Sequence, residues 1–76
     1  MKIEVLGTGC SKCEALAAGV QAVVEELGLD AEITKVTDII EITSRGVMLT
    51  PALIVDGQVK SCGKALSSDE IQDLLR

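Results

Sequence analysis

Lys2-Ile3-Glu4-Val5-Leu6-Gly7-Thr8-Gly9-Cys10-Ser11-Lys12-Cys13 is the stretch on which the fold turns. Ile3, Val5 and Leu6 make Lys2 to Leu6 a short strand, and Gly7-Thr8-Gly9 takes the chain out of it through a turn. A helix follows from Ser11 to Leu27, because Leu16, Val20, Val23, Val24 and Leu27 recur at spacings that form one apolar stripe. Gly28 suits the left-handed position that ends a helix, and Leu29 is placed to pack back on the last turn. Ala31 to Val36 reads as a second strand. A strand, a helix and a strand in this order form a βαβ unit, which pairs its strands in parallel through a right-handed crossover.

Downstream, a second helix is expected from Asp38 to Ser44 or Arg45, carrying Ile39, Ile40 and Ile42 and ended by Gly46. Ala52-Leu53-Ile54-Val55 and Gln58-Val59-Lys60-Ser61 flank Asp56-Gly57, a strong short-range hairpin signal. A last helix runs from about Ser68 to Leu75 and buries Ile71, Leu74 and Leu75. Ser11 with Glu14, Asp38 with Glu41, and Ser67 with Glu70 each match a capping box or its Asp equivalent. The expected architecture is α/β in the order β-α-β-α-β-β-α, a four-stranded mixed sheet flanked by helices. One domain is expected to occupy all 76 residues.

Composition excludes several classes of function. Phe, Trp and Tyr are all absent, so the core is built from Leu, Ile, Val and Ala. No aromatic face is there to stack on single-stranded nucleic acid, and a net charge of −5 opposes binding to any polyanion. Nucleic acid is therefore not an expected partner. No apolar run approaches the roughly 20 residues that span a membrane, and Met1-Lys2 leads straight into a strand, not a signal peptide. A cytoplasmic location is expected. Three cysteines, an odd number, fit a secreted disulfide scaffold poorly.

Cys10-Ser-Lys-Cys13 is the informative pair. Residues three apart on a helix face one another with Cβ atoms about 5–6 Å apart, and a disulfide wants Cα atoms about 4.4–6.8 Å apart. One helical turn therefore closes and opens such a bridge with little backbone movement. Cys10 precedes the first turn, where unpaired N–H groups and the helix dipole stabilise a thiolate, and Lys12 adds a positive charge. Cys10 is thus the expected attacking thiol, with its pKa lowered, and Cys13 the more shielded resolving one. The competing structural reading is half of a zinc site, but four ligands are needed and the chain has no His and only one further Cys.

The element order, with Cys-x-x-Cys at the first strand-to-helix turn, resembles the thioredoxin and glutaredoxin superfamily, most of all its small microbial redox-active disulfide proteins. The likeness runs from Lys2-Ile3-Glu4-Val5 through Gly7 to Cys13, to Thr50-Pro51-Ala52 and the Asp56-Gly57 hairpin. It implies thiol–disulfide exchange with no cofactor and no metal beyond the cysteine pair itself. It also implies a cis proline at Pro51 and a substrate-binding edge formed by Thr50, Pro51 and the turn at Gly63. Without the likeness, an ordinary trans proline would be the reading.

The partners it implies are a disulfide-containing protein and an electron donor such as a thioredoxin reductase-like flavoprotein or a low-molecular-weight thiol. Glu4, six residues before Cys10, stands where thioredoxins often carry a buried acid that deprotonates the resolving cysteine. A solvated strand glutamate is the preferred reading. Cys62 is a candidate third redox thiol or soft-metal ligand, against the simpler reading of a small residue without a chemical role. Ser11-Lys12 departs from the Gly-Pro of typical thioredoxins, and no tryptophan precedes Cys10.

The rival class is a soft-metal or metalloid carrier using Cys10, Cys13 and Cys62. Copper-chaperone-like domains run β-α-β-β-α-β, usually with Met two residues before the first Cys; here that residue is Thr8.

Overall fold

The computed structural model describes residues 1–9, 11–64 and 66–75, so Cys10, the expected attacking thiol, lies outside the described residues. Along the chain run β1 (Lys2–Leu6), α1 (Ser11–Leu27), β2 (Glu32–Val36), α2 (Ile39–Ser44), β3 (Ala52–Val55), β4 (Gln58–Cys62) and α3 (Ser68–Leu75). The strands pair in the order β2-β1-β3-β4, with β1 and β2 parallel and the other neighbours antiparallel. This is the α/β order and mixed sheet predicted from the sequence.

The two-residue period of a strand sorts the core into two layers. Ile3 and Val5 of β1 and Leu53 and Val55 of β3 pack with Leu16, Val20 and Val23 of α1 and with Ile71 and Leu75 of α3. On the other side, Leu6, Ala52, Ile54 and Val36 pack with Ile42 of α2 and with Val47. Every residue of β3 is buried because both faces of the sheet are covered there. β4 stands at the edge and is mostly exposed.

Local chemistry sets the boundaries. Gly28, at φ 65°, ends α1; its N–H donates to Glu25 O and that of Leu29 to Val24 O, at 3.2 and 3.0 Å. These bonds satisfy carbonyls that the last turn would leave unpaired. At α3 the capping box is reciprocal: Glu70 N–H donates to Ser67 Oγ and Ser67 N–H to Glu70 Oε1. Asp38 caps α2, its Oδ1 accepting from Ile40 N–H at 2.8 Å. At α1 the expectation shifts: Ser11 is already the first helical residue, not the cap before it.

α2 is only six residues long and turns a single face to the sheet. Ile42 is buried, whereas Ile39 and Ile40 are 66% and 76% exposed. In the hairpin, Asp56 and Gly57 both have positive φ, 50° and 85°, as a tight two-residue turn between twisted strands requires.

Candidate functional site

Three strand ends meet at one edge of the molecule. Leu6, the last residue of β1, stands opposite Val36, the last of parallel β2, and opposite Ala52, the first of antiparallel β3. Gly7 N–H continues this pairing by donating to Val36 O at 2.9 Å. Gly63, just past β4, donates its N–H to Pro51 O at 2.8 Å. The Gly7-Thr8-Gly9 turn, the start of α1, Thr50-Pro51 and Gly63 are thereby gathered together. The Thr50–Pro51 peptide bond is cis; Pro51 is buried and Thr50 exposed.

Cys13 lies in the first turn of α1, 6% exposed, on the side that carries Leu16 and Ala17 into the core. It packs directly on Gly7: a Cβ placed on Gly7 would overlap Cys13 Sγ and stand 2.7 Å from Cys13 Cβ. Beside it is a cavity of about 20 Å³ lined by Val5, Ala17, Lys35 and Thr37 among others. That is room for about one water. Ser11 and Lys12, by contrast, are exposed.

A second, open groove of about 280 Å³ flanks the same edge, lined by Thr8, Ile39, Ile42, Met48 and Thr50. Met48, 93% exposed, and Leu49 extend it as an apolar rim.

Not every sequence-predicted residue arrives at the site. Glu4, the possible accessory acid, does not. It pairs with Ile54 and shares the face of Leu6, the α2 side of the sheet, whereas Val5 and Cys13 lie on the α1 side. Its carboxylate is held instead by Arg45, just past α2. Cys62 is exposed and pairs with Ala52, which also belongs to the α2 side, so it is not brought to Cys13. Among the described residues, no three His, Cys, Asp or Glu side chains cluster as a metal site would require.

Conversely, Gly7 and Lys35 were not singled out from sequence. Gly7 read only as part of a turn, and Lys35 only as a residue of the second strand. The register of β1 on β2, which sets Lys35 beside Val5, is what puts Lys35 next to Cys13.

A family model for the thioredoxin domain matches residues 1–76. The chain belongs to the thioredoxin family. It is similar to a thioredoxin of Methanothermobacter thermautotrophicus, 40% identical over 75 residues that cover 99% of this chain and 97% of that one. A thioredoxin of Methanocaldococcus jannaschii is 45% identical over 74 residues, covering 97% and 85%. Membership makes the chain a thiol–disulfide oxidoreductase. The observed order β-α-β-α-β-β-α differs from the β-α-β-β-α-β of copper-chaperone-like domains.

Proposed function

We propose that Cys10 and Cys13 are the exchanging dithiol, with Cys10 attacking and Cys13 resolving. The observation that carries this reading is the placement of Cys13. It is buried in the first turn of α1, behind exposed Ser11 and Lys12, where three strand ends converge. A resolving thiol needs that shelter, because it must wait until a mixed disulfide forms and then act only on its neighbour.

In the proposed cycle the Cys10 thiolate attacks one sulfur of a substrate disulfide. A Cys10–substrate disulfide forms and the other substrate sulfur leaves as a thiolate, which takes up a proton. Cys13, having given up its proton, attacks Cys10 Sγ; the Cys10–Cys13 bond forms and the second substrate thiolate departs. The substrate gains two electrons from the protein; the first leaving thiolate takes up one proton, matched by the one Cys13 gives up, and the second leaves as a thiolate, as Cys10 began. A dithiol or reduced flavoprotein of the thioredoxin reductase type, or a low-molecular-weight thiol, reverses the last steps and restores the pair. No cofactor or metal takes part in these steps, and the cytoplasm supplies such reductants.

The substrate is proposed to be a protein disulfide in an extended segment laid along Thr50 and Pro51, with Gly63 bracing Pro51 from behind. The exposed apolar rim of Ile39, Met48 and Leu49 gives such a segment uncharged surface to cover.

The test is a redox titration in glutathione and dithiothreitol buffers, with alkylation of thiols and mass spectrometry. The expected result is one two-electron transition linking Cys10 and Cys13, between about −180 and −300 mV. Cys13→Ser should accumulate a mixed disulfide on Cys10, and Cys10→Ser should form none. A pair that never closes under oxidising buffers, or thiols blocked by co-purified metal, would sink the proposal.

A further inference from the structure

We infer that Gly7 is a positioning residue for the resolving thiol, its missing side chain forming the seat in which Cys13 Sγ lies. The inference rests on the assignment of Cys13 as the resolving cysteine. Gly7 is buried, and its φ lies outside the left-handed region, so that angle does not demand glycine. The reason for glycine is a neighbour. A Cβ at position 7 would overlap Cys13 Sγ, lie 2.7 Å from Cys13 Cβ and still be 3.8 Å from Cys13 Cα. At Gly9, two residues on, an added Cβ meets nothing within 4 Å among the described residues beyond its chain neighbours. Among the described residues, the crowding at Gly7 therefore comes from Cys13.

Neither partner is able to retreat as a unit. Gly7 is tied to Val36 O at 2.9 Å, and α1 is anchored through Leu16, Val20 and Val23. A methyl group at position 7 is accommodated by turning or lifting the Cys13 side chain. The consequence is chemical. Cys13 Sγ must approach Cys10 Sγ along the axis of the mixed disulfide so that one S–S bond forms as the other breaks. A displacement of about 1 Å costs such an in-line step on the order of 10²-fold in rate.

The experiment compares wild type, Gly7→Ala, Cys13→Gly and the double variant. In wild type, glutathione buffers first establish whether the Cys10–Cys13 disulfide forms; if it does not, the dithiol assignment fails and this inference with it. Given that it forms, Gly7→Ala is expected to shift its formation constant away from the closed disulfide by at least about tenfold. The Cys10–glutathione intermediate is expected to decay on the order of 10²-fold more slowly. An unchanged constant and decay rate overturn the seat while leaving the dithiol assignment intact. Thermal midpoints cover the case in which Gly7→Ala folds but is too unstable for the redox assay. Gly7→Ala should lower the midpoint with Cys13 present and leave it unchanged or raise it in the Cys13→Gly background. Equal losses in both backgrounds overturn the inference.

Discussion

Arg45 holds the Glu4 carboxylate from the α2 side of the sheet, its Nε and Nη2 each 2.8 Å from the same oxygen, Oε2. Arg45 also donates from Nη1 to Glu41 O at 3.1 Å, so one guanidinium ties the end of α2 to the middle of β1. Glu4 stands six residues before Cys10, at a position from which a carboxylate could serve the cysteines. The parity of β1 turns it to the opposite face, where it serves the fold. Arg45→Met is expected to cost about 1 kcal/mol, discounted for the partial exposure of the pair, as read by urea unfolding. Glu4→Gln should leave the rate and pH profile of mixed-disulfide release unchanged. A slowed release with a displaced pH profile would make Glu4 the missing base after all.

The cysteines should differ sharply toward alkylation of the native protein. Cys62 is exposed on the edge strand and Cys13 is 6% exposed beneath Gly7. Iodoacetamide is expected to label Cys62 well before Cys13, and mass spectrometry of the reduced protein separates the two. Cys62→Ser should leave the Cys10–Cys13 transition where it was. A shifted midpoint would show that Cys62 takes part in the exchange.

Asp56 fastens the hairpin to the first strand. Its Oδ1 accepts from Lys2 N–H and its own N–H donates to Lys2 O, both at 2.8 Å. It does so at φ 50°, a conformation that Asp and Asn tolerate better than other side chains. Asp56→Ala should cost about 1–2 kcal/mol in urea unfolding, from the lost acceptor and the left-handed backbone together. Asp56→Asn keeps both features and should remain within about 0.5 kcal/mol of wild type. Equal losses for the two variants would refute this account.

The cap of α3 carries a pH dependence. Lys64, the Ser67 N–H and the Ser67 hydroxyl hold the Glu70 carboxyl down from 4.5 to about 2. A carboxyl lowered by folding contributes stability that is fully present above 4.5 and is lost as pH falls toward 2. Amide protection in α3 should therefore weaken across that interval in wild type, and Glu70→Gln should remove this component while other carboxylates still titrate. Because the group lies at the surface, added salt should shrink the difference. Identical pH profiles for wild type and variant would count against the cap.

Much of this molecule was legible as patterns of neighbours along the chain. The apolar stripe from Leu16 to Val24, the Gly28 stop, the Ser67–Glu70 cap and the Asp56-Gly57 turn are local events, decided within four or five residues by backbone sterics and orphaned amides. Their order, with Cys-x-x-Cys after the first strand, was enough to imply the sheet, the family resemblance and the chemistry. The same patterns misplaced Ser11 by one position, because the capping-box signature alone does not say which side of a helix start a serine occupies.

What the tertiary structure alone decided was which side chains share a face. The exit of β1 inverts the apparent importance of Glu4 and Gly7: one residue of parity sends the acid toward Arg45 and leaves the glycine beneath Cys13. Lys35 reaches the cavity beside Cys13 only through the register of β1 on β2, and Cys62 is directed away from Cys13 by its pairing with Ala52. The pairings of Glu4 with Arg45 and of Val5 with Lys35 join residues 41 and 30 positions apart. Pairing of distant strands is set by packing both faces of the sheet at once, and no local pattern in the sequence encodes it.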